Sequence, residues 1–140
     1  MGEYAVHRRV ASQLVDKPQI CIVMDHPSND EVRLNKILAG DFIISRICTQ
    51  VGIDINKCML THAFQLKPAQ DNLQNFFHKR SEYKALCKDS EWRTPYPITT
   101  YGYLKQEMGQ DLERLYNEIN EAQPNVIIAM GSISLWALTG

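Results

Sequence analysis

The stretch from Pro124 to Gly140, Pro-Asn-Val-Ile-Ile-Ala-Met-Gly-Ser-Ile-Ser-Leu-Trp-Ala-Leu-Thr-Gly, constrains the fold more than any other. Val126 to Met130 is a continuous apolar run of strand length, the pattern of a strand buried on both faces. Gly131 allows a tight backbone turn, and Ser132 can cap a helix that starts at Ile133. A strand that runs into a glycine turn and a helix N-terminus is how parallel α/β proteins build sites for phosphates and bases.

The preceding chain alternates in the same sense. Residues 5–15 place Val6, Val10 and Leu14 at helical spacing, which predicts a short amphipathic helix broken by Lys17-Pro18. Gln19 to Met24 reads as a first buried strand. It ends in Asp25-His26-Pro27-Ser28-Asn29-Asp30, turn chemistry that carries carboxylates. A helix follows from Phe42 to Val51, with Ile43, Ile44, Ile47 and Val51 on one face, Asp41 as N-cap and Gly52 as its stop. Lys57 to His62 is a second strand, leading into Phe64, Gln65, Leu66, Lys67 and Pro68.

Ala69 to Tyr103 is polar and rich in aromatics; Leu73, Phe76 and Phe77 suggest helix at its start, and Thr94-Pro-Tyr-Pro97 is irregular. Residues 110–122 give the clearest helix, with Leu112, Leu115, Tyr116, Ile119 and Ala122 in a stripe that Pro124 ends. The order β, α, β, excursion, α, β, α predicts one α/β domain over residues 1–140, three-layered α/β/α around a short, mainly parallel sheet. Ligands of such sheets lie at the carboxyl ends of the strands. The candidate site is therefore Asp25 to Ser28, Thr61 to Lys67, and Gly131 with Ser132.

Charge bounds the partners. A net charge of −1 argues against a protein that coats nucleic acid by bulk charge, so any such contact needs a local patch. One segment offers two readings. His78, Lys79, Arg80, Lys84, Lys88 and Arg93, interleaved with Phe76, Phe77, Tyr83, Trp92 and Tyr96, suit single-stranded DNA by charge and stacking. Glu82, Asp89 and Glu91 in the same segment suit a solvated helix and loop. Cys21, Cys48, Cys58 and Cys87 form no Cys-x-x-Cys pair and read as buried reduced thiols, with no metal or cofactor expected; the alternative is a four-cysteine iron–sulfur or zinc site without the paired spacing such sites bring. No apolar run approaches the roughly 18 residues of a membrane helix, and the N-terminus lacks a signal-peptide core. The expectation is a cytoplasmic protein without a membrane partner.

Taken in order, the three strand ends resemble the uracil-DNA glycosylase superfamily in its phage type, which stands alone or precedes phage DNA polymerases. Ala-Met-Gly-Ser-Ile-Ser-Leu-Trp-Ala-Leu-Thr-Gly is similar to the family's Ala-Leu-Gly-x-x-Ala-x-Trp-Ala-Leu-x-Gly. Tyr101-Gly-Tyr-Leu and Asp-Leu-Glu-Arg-Leu-Tyr116 also look like the phage sequences. Met24-Asp25-His26-Pro27-Ser28 stands where the family has Gly-Glu-Ala-Pro-Gly. Ala39-Gly40 and Gly52-Ile53 match further pairs, and Met59-Leu-Thr-His62 with Lys67-Pro68 stands for Tyr-Ile-Thr-Asn and a later basic-Pro pair.

The resemblance implies a metal-free glycosylase fold that flips a base from DNA and hydrolyses its bond to the sugar. Asp25 would stabilise the oxocarbenium-like transition state and orient water, with His26 beside it. Pro27, Ser28, His62, Lys67, Gly131 and Ser132 would contact base or DNA; His62 stands where an asparagine reads the base edge. The partners implied are single-stranded or uracil-containing DNA and a phage DNA polymerase, in the host cytoplasm. The chain departs from the pattern at Met24 and Ser28, where the family has glycines, near Asn35 and Lys36, where it has a stacking aromatic, and at Leu66, where iron–sulfur members have cysteine. The family's His-Pro-Ser motif on a fourth strand would lie beyond Gly140, which implies a truncated version of the fold. The alternative is a non-catalytic replication module of that fold, binding DNA or a polymerase.

Overall fold

The computed structural model describes residues 9–140. In chain order the elements are β1 (Ile20–Met24), α1 (Asn29–Leu34), α2 (Phe42–Gln50), β2 (Met59–His62), β3 (Phe77–His78), α3 (Arg80–Asp89), β4 (Tyr103–Leu104), α4 (Gly109–Ala122), β5 (Val126–Met130) and α5 (Ser132–Thr139). The main sheet has the order β2-β1-β5, and both pairings are parallel. The fold is α/β, as the alternation of elements predicts.

Central β1 buries Cys21, Ile22 and Val23, whose side chains alternate between two cores. On one face Cys21, Val23 and Met59 pack with Leu112 and Leu115 of α4, Ile133 and Ala137 of α5, and Phe64, Phe76 and Phe77. On the other, Ile22 and Leu60 pack with Val10, Ile37 and Cys48. Helical layers on both faces of one sheet make the three-layer arrangement. Cys21, Cys48 and Cys58 are buried and all four cysteines are free. Burial, with smaller contributions from Glu118 and Cys58, pushes the Cys21 thiol up to about 12.

Three expectations need correction. Residues 9–15 are not helical: Arg9 and Gln13 bridge antiparallel to Leu66 and Leu60, and Gln13 and Leu60 exchange backbone bonds of 2.8 and 3.0 Å. A spacing of four fits both the helical and the strand period, and the open edge of β2 decides between them by pairing with the chain. Residues 5–8, Val6 among them, lie outside the described residues. Second, β5 is not buried on both faces. Among the described residues it is an edge strand paired with β1 alone, and Val126, Ile127 and Met130 are exposed.

Third, α2 buries a narrower stripe than its sequence suggests. Asp41 caps it as expected, accepting the Ile43 and Ile44 amides at 3.0 Å each. Cys48 is buried and Ile44 packs against the second core, while Phe42, Ile43, Ile47 and Val51 stay exposed. The excursion is anchored by the antiparallel β3–β4 ribbon, and α3 buries no residue. Among the described residues, no helix is long and apolar enough to cross a membrane.

Candidate functional site

The parallel register aligns Met24 with His62 and with Met130, so the chain leaves all three strands at one end of the sheet. Pairing continues one step past β2. The Ala63 amide donates to Met24 O at 2.7 Å and the Phe64 amide to Asp25 O at 3.0 Å. The Asp25 carboxylate then lies against the Gly131 turn, and its Oδ1 accepts the Ser134 backbone N–H at 2.7 Å. Gly131 sits at φ 130°, and a Cβ there would come within 2.5 Å of Oδ1 and 2.6 Å of Oδ2. Only glycine permits this approach.

Asp25 therefore does the capping expected of Ser132. Ser132 is the first residue of α5, Gly131 holds the N-cap position, and no residue there supplies a side-chain cap. The helix N-terminus favours the Asp25 negative charge, which satisfies a donor otherwise left without a partner. One consequence concerns anions. The amides that Gly131 and Ser132 would turn to a phosphate stand beside a carboxylate, so a phosphate there meets like charge.

The other residues of the first turn are also engaged. His26 Nδ1 lies 2.9 Å from Pro27 O, which makes it the protonated nitrogen, and Pro27 is buried. Ser28 caps α1: its Oγ accepts the Glu31 amide at 3.2 Å, while Glu31 Oε1 accepts the Ser28 amide at 2.9 Å. Glu31 Oε2 accepts the Leu38 amide at 2.9 Å and lies 3.0 Å from His62 Nε2. His62 is fully buried, and its Nδ1 has no partner among the described residues. Burial pushes the Glu31 carboxyl up, but the His62 hydrogen bond and charge and the Ser28 and Leu38 amides outweigh it, and the net direction is down.

Lys67 is nearly buried and reaches Asp71 Oδ1 at 2.9 Å. With Asn29, Arg33 and Gln70 it lines a recess of about 460 Å³. A second recess of about 380 Å³ lies over Ser28, Glu31, Gly40 and Phe42. The structure thus brings Asp25, Gly131 and Ser132 together, buries His62 against Glu31 at the end of β2, and sets Ser28 and Lys67 at separate recesses.

Sequence reasoning missed a polar cluster behind β2. Arg114 donates to Thr61 Oγ1 at 2.8 Å, Glu118 Oε1 at 2.7 Å, His62 O at 2.7 Å and Ala63 O at 3.1 Å. Glu118 also accepts from Ser12 and Thr61 at 2.8 Å each. Arg114 therefore fixes the backbone at the end of β2, just where the site begins. Its spacing of four from Glu118 was the visible signal. Ser28 followed three residues later by Glu31 was the capping-box signal for the buried carboxylate.

Among the described residues, no group of three or more His, Cys, Asp or Glu side chains could hold a metal ion. No family model matches the chain, and no curated protein matches it either.

Proposed function

We propose that this chain is a uracil-DNA-glycosylase-like protein that acts on DNA, with Asp25 as the group that works on the N-glycosidic bond. The observation that carries this reading is a carboxylate fixed where three parallel strand ends meet. Its Oδ1 is oriented by the Ser134 amide, and Oδ2 makes no hydrogen bond among the described residues. Oδ2 is then the oxygen left to face a sugar or a water. A positioned anion stabilises the positive charge that develops on the sugar as its bond to the base breaks, and it orients the water that completes hydrolysis. The chemistry asks for no metal. Single-stranded or uracil-containing DNA in the cytoplasm is the partner this reading implies.

A second reading has its own support. The residue standing where the family reads the base edge, His62, is wholly buried and tied to Glu31. A buried ring offers no edge to a flipped base, which favours a non-catalytic module that contacts DNA or a phage polymerase. One experiment separates the two: a cleavage assay on uracil-containing single-stranded DNA with wild type and Asp25→Asn. Asparagine keeps an oxygen for the Ser134 amide, so the fold persists while the charge is lost. Excision abolished by the substitution supports the enzyme. Absence of excision in the wild type, with DNA binding intact, overturns it in favour of the module.

A further inference from the structure

The basic and aromatic segment of the excursion takes no part in the strand-end site, and its geometry is specific. Arg80, Lys84 and Lys88 are spaced by four along α3, so they form one exposed stripe about 6 Å apart per step. At about 100° per residue, Glu82 and Asp89 fall on the opposite side of the helix. Among the described residues, no carboxylate pairs with the three cations; Glu82 lies 3.9 Å from His78 instead. The alternation of signs in the sequence is therefore resolved by the helix into two faces of opposite charge.

Aromatics adjoin the stripe. Tyr83 stacks on Tyr103 with ring centroids 4.1 Å apart, and Trp92 meets Tyr83 edge-on at 6.1 Å. All three rings are half-buried. Arg93 is held in place beside them, donating to the carbonyls of Cys87 at 3.2 Å, Ser90 at 2.9 Å and Trp92 at 2.8 Å. Trp92 also forms a wall of a recess of about 360 Å³, whose other residues include Tyr96, Lys105, Gln106, Gln110 and Glu113. Two aromatic walls and two side-chain amides, each with donor and acceptor, fit the flat face and polar edge of a nucleobase. Burial, and secondarily Glu113, push the Tyr96 phenol up, so it remains a neutral hydroxyl at physiological pH.

We propose that α3 and the Trp92 recess form a binding surface for single-stranded nucleic acid, with phosphates along Arg80, Lys84 and Lys88 and one base in the recess. Charge complementarity selects a polyanion, and the aromatic and amide recess selects one that can present an unpaired base. The surface deepens the DNA-acting reading, on which it rests, by naming where the strand lies outside the Asp25 site. It does not require excision.

Fluorescence anisotropy with labelled oligothymidylate, which contains no uracil, tests it across a salt series. The wild type should bind with log K falling against log salt at a slope of about −2, the value for three phosphates of a single strand. Lys84→Glu with Lys88→Glu should weaken binding at least tenfold and flatten the slope; α3 buries no side chain, so the fold tolerates both. Trp92→Ala should weaken binding about tenfold, and Trp92→Phe should restore most of it. Far-UV circular dichroism checks that each variant is folded. Wild-type binding that is absent, unaffected by the charge reversals, or matched by a duplex of the same length overturns the proposal. So does equal binding to anionic vesicles with no dependence on Trp92. Absence of excision in the wild type with oligothymidylate binding intact would overturn the enzyme reading and leave this surface standing, so the two readings fail separately.

Discussion

Glu31 uses two oxygens for three hydrogen bonds: the Ser28 amide, the Leu38 amide and the His62 ring. It closes the capping box of α1, holds the loop after that helix and anchors the end of β2. Removing one partner of such a buried pair leaves the other without compensation, at a typical cost of about 3–5 kcal/mol. Glu31→Ala should therefore lower stability by that order in urea unfolding at pH 7. The pH dependence follows from the direction of the Glu31 shift. Its folded-state value lies below the ordinary 4.5, so the folded protein binds the Glu31 proton less readily than the unfolded chain. The stabilisation is complete above the ordinary value and fades as pH falls through the lower folded one. Wild type should thus lose more stability than Glu31→Gln between pH 5 and pH 3, measured by urea midpoints at both. Equal losses would mean that the carboxylate is not held as the geometry shows.

At the scale of elements, the join of β5 to α5 depends on one missing side chain. At Gly131 an alanine Cβ would strike the Asp25 carboxylate, and the φ of 130° disfavours any other residue. Gly131→Ala should cost about 1–3 kcal/mol, as a residue forced into a sparsely allowed conformation does. The same change should push Asp25 away from the Ser134 amide and abolish whatever excision the wild type has. Unchanged unfolding and unchanged excision together would refute the close approach.

The same elements show what the sequence could and could not reveal. β1, β2, α2, α4 and the strand-turn-helix at the end were legible because apolar periodicity and turn residues are local signals. The Asp25–Ser134 bond spans 109 residues and Glu31–His62 spans 31, and no local pattern encodes either pairing. Residues 9–15 were misread because their spacing suits two periods, and the partner that decides between them, Leu60, lies far along the chain. Burial of β5 failed for a related reason. An apolar run predicts a strand, but its place at the edge of the sheet and the cover over its two faces depend on distant parts of the chain.

At the scale of the whole molecule, apolar side chains crowd one side of the sheet without cover. Register places Val126 and Met130 beside Ile20 and Met24, on the face that carries Ile22 and α2. Phe42, Ile43, Ile47 and Val51 of the α2 region are exposed near that layer, and among the described residues nothing pairs with the outer edge of β5, Val-Ile-Ile-Ala-Met. An edge strand without a charge, a proline or a bulge is a template for pairing with another chain. A lysine at its most exposed position would keep the backbone register and oppose that pairing by charge and hydration. Val126 is that position, at 52% exposure, so its replacement removes little packing. Val126→Lys should lower light scattering of concentrated protein while leaving the urea midpoint within about 0.5 kcal/mol of wild type, the range of ordinary surface substitutions. Equal scattering of the two proteins at equal concentration would refute the β5 edge as a template for pairing.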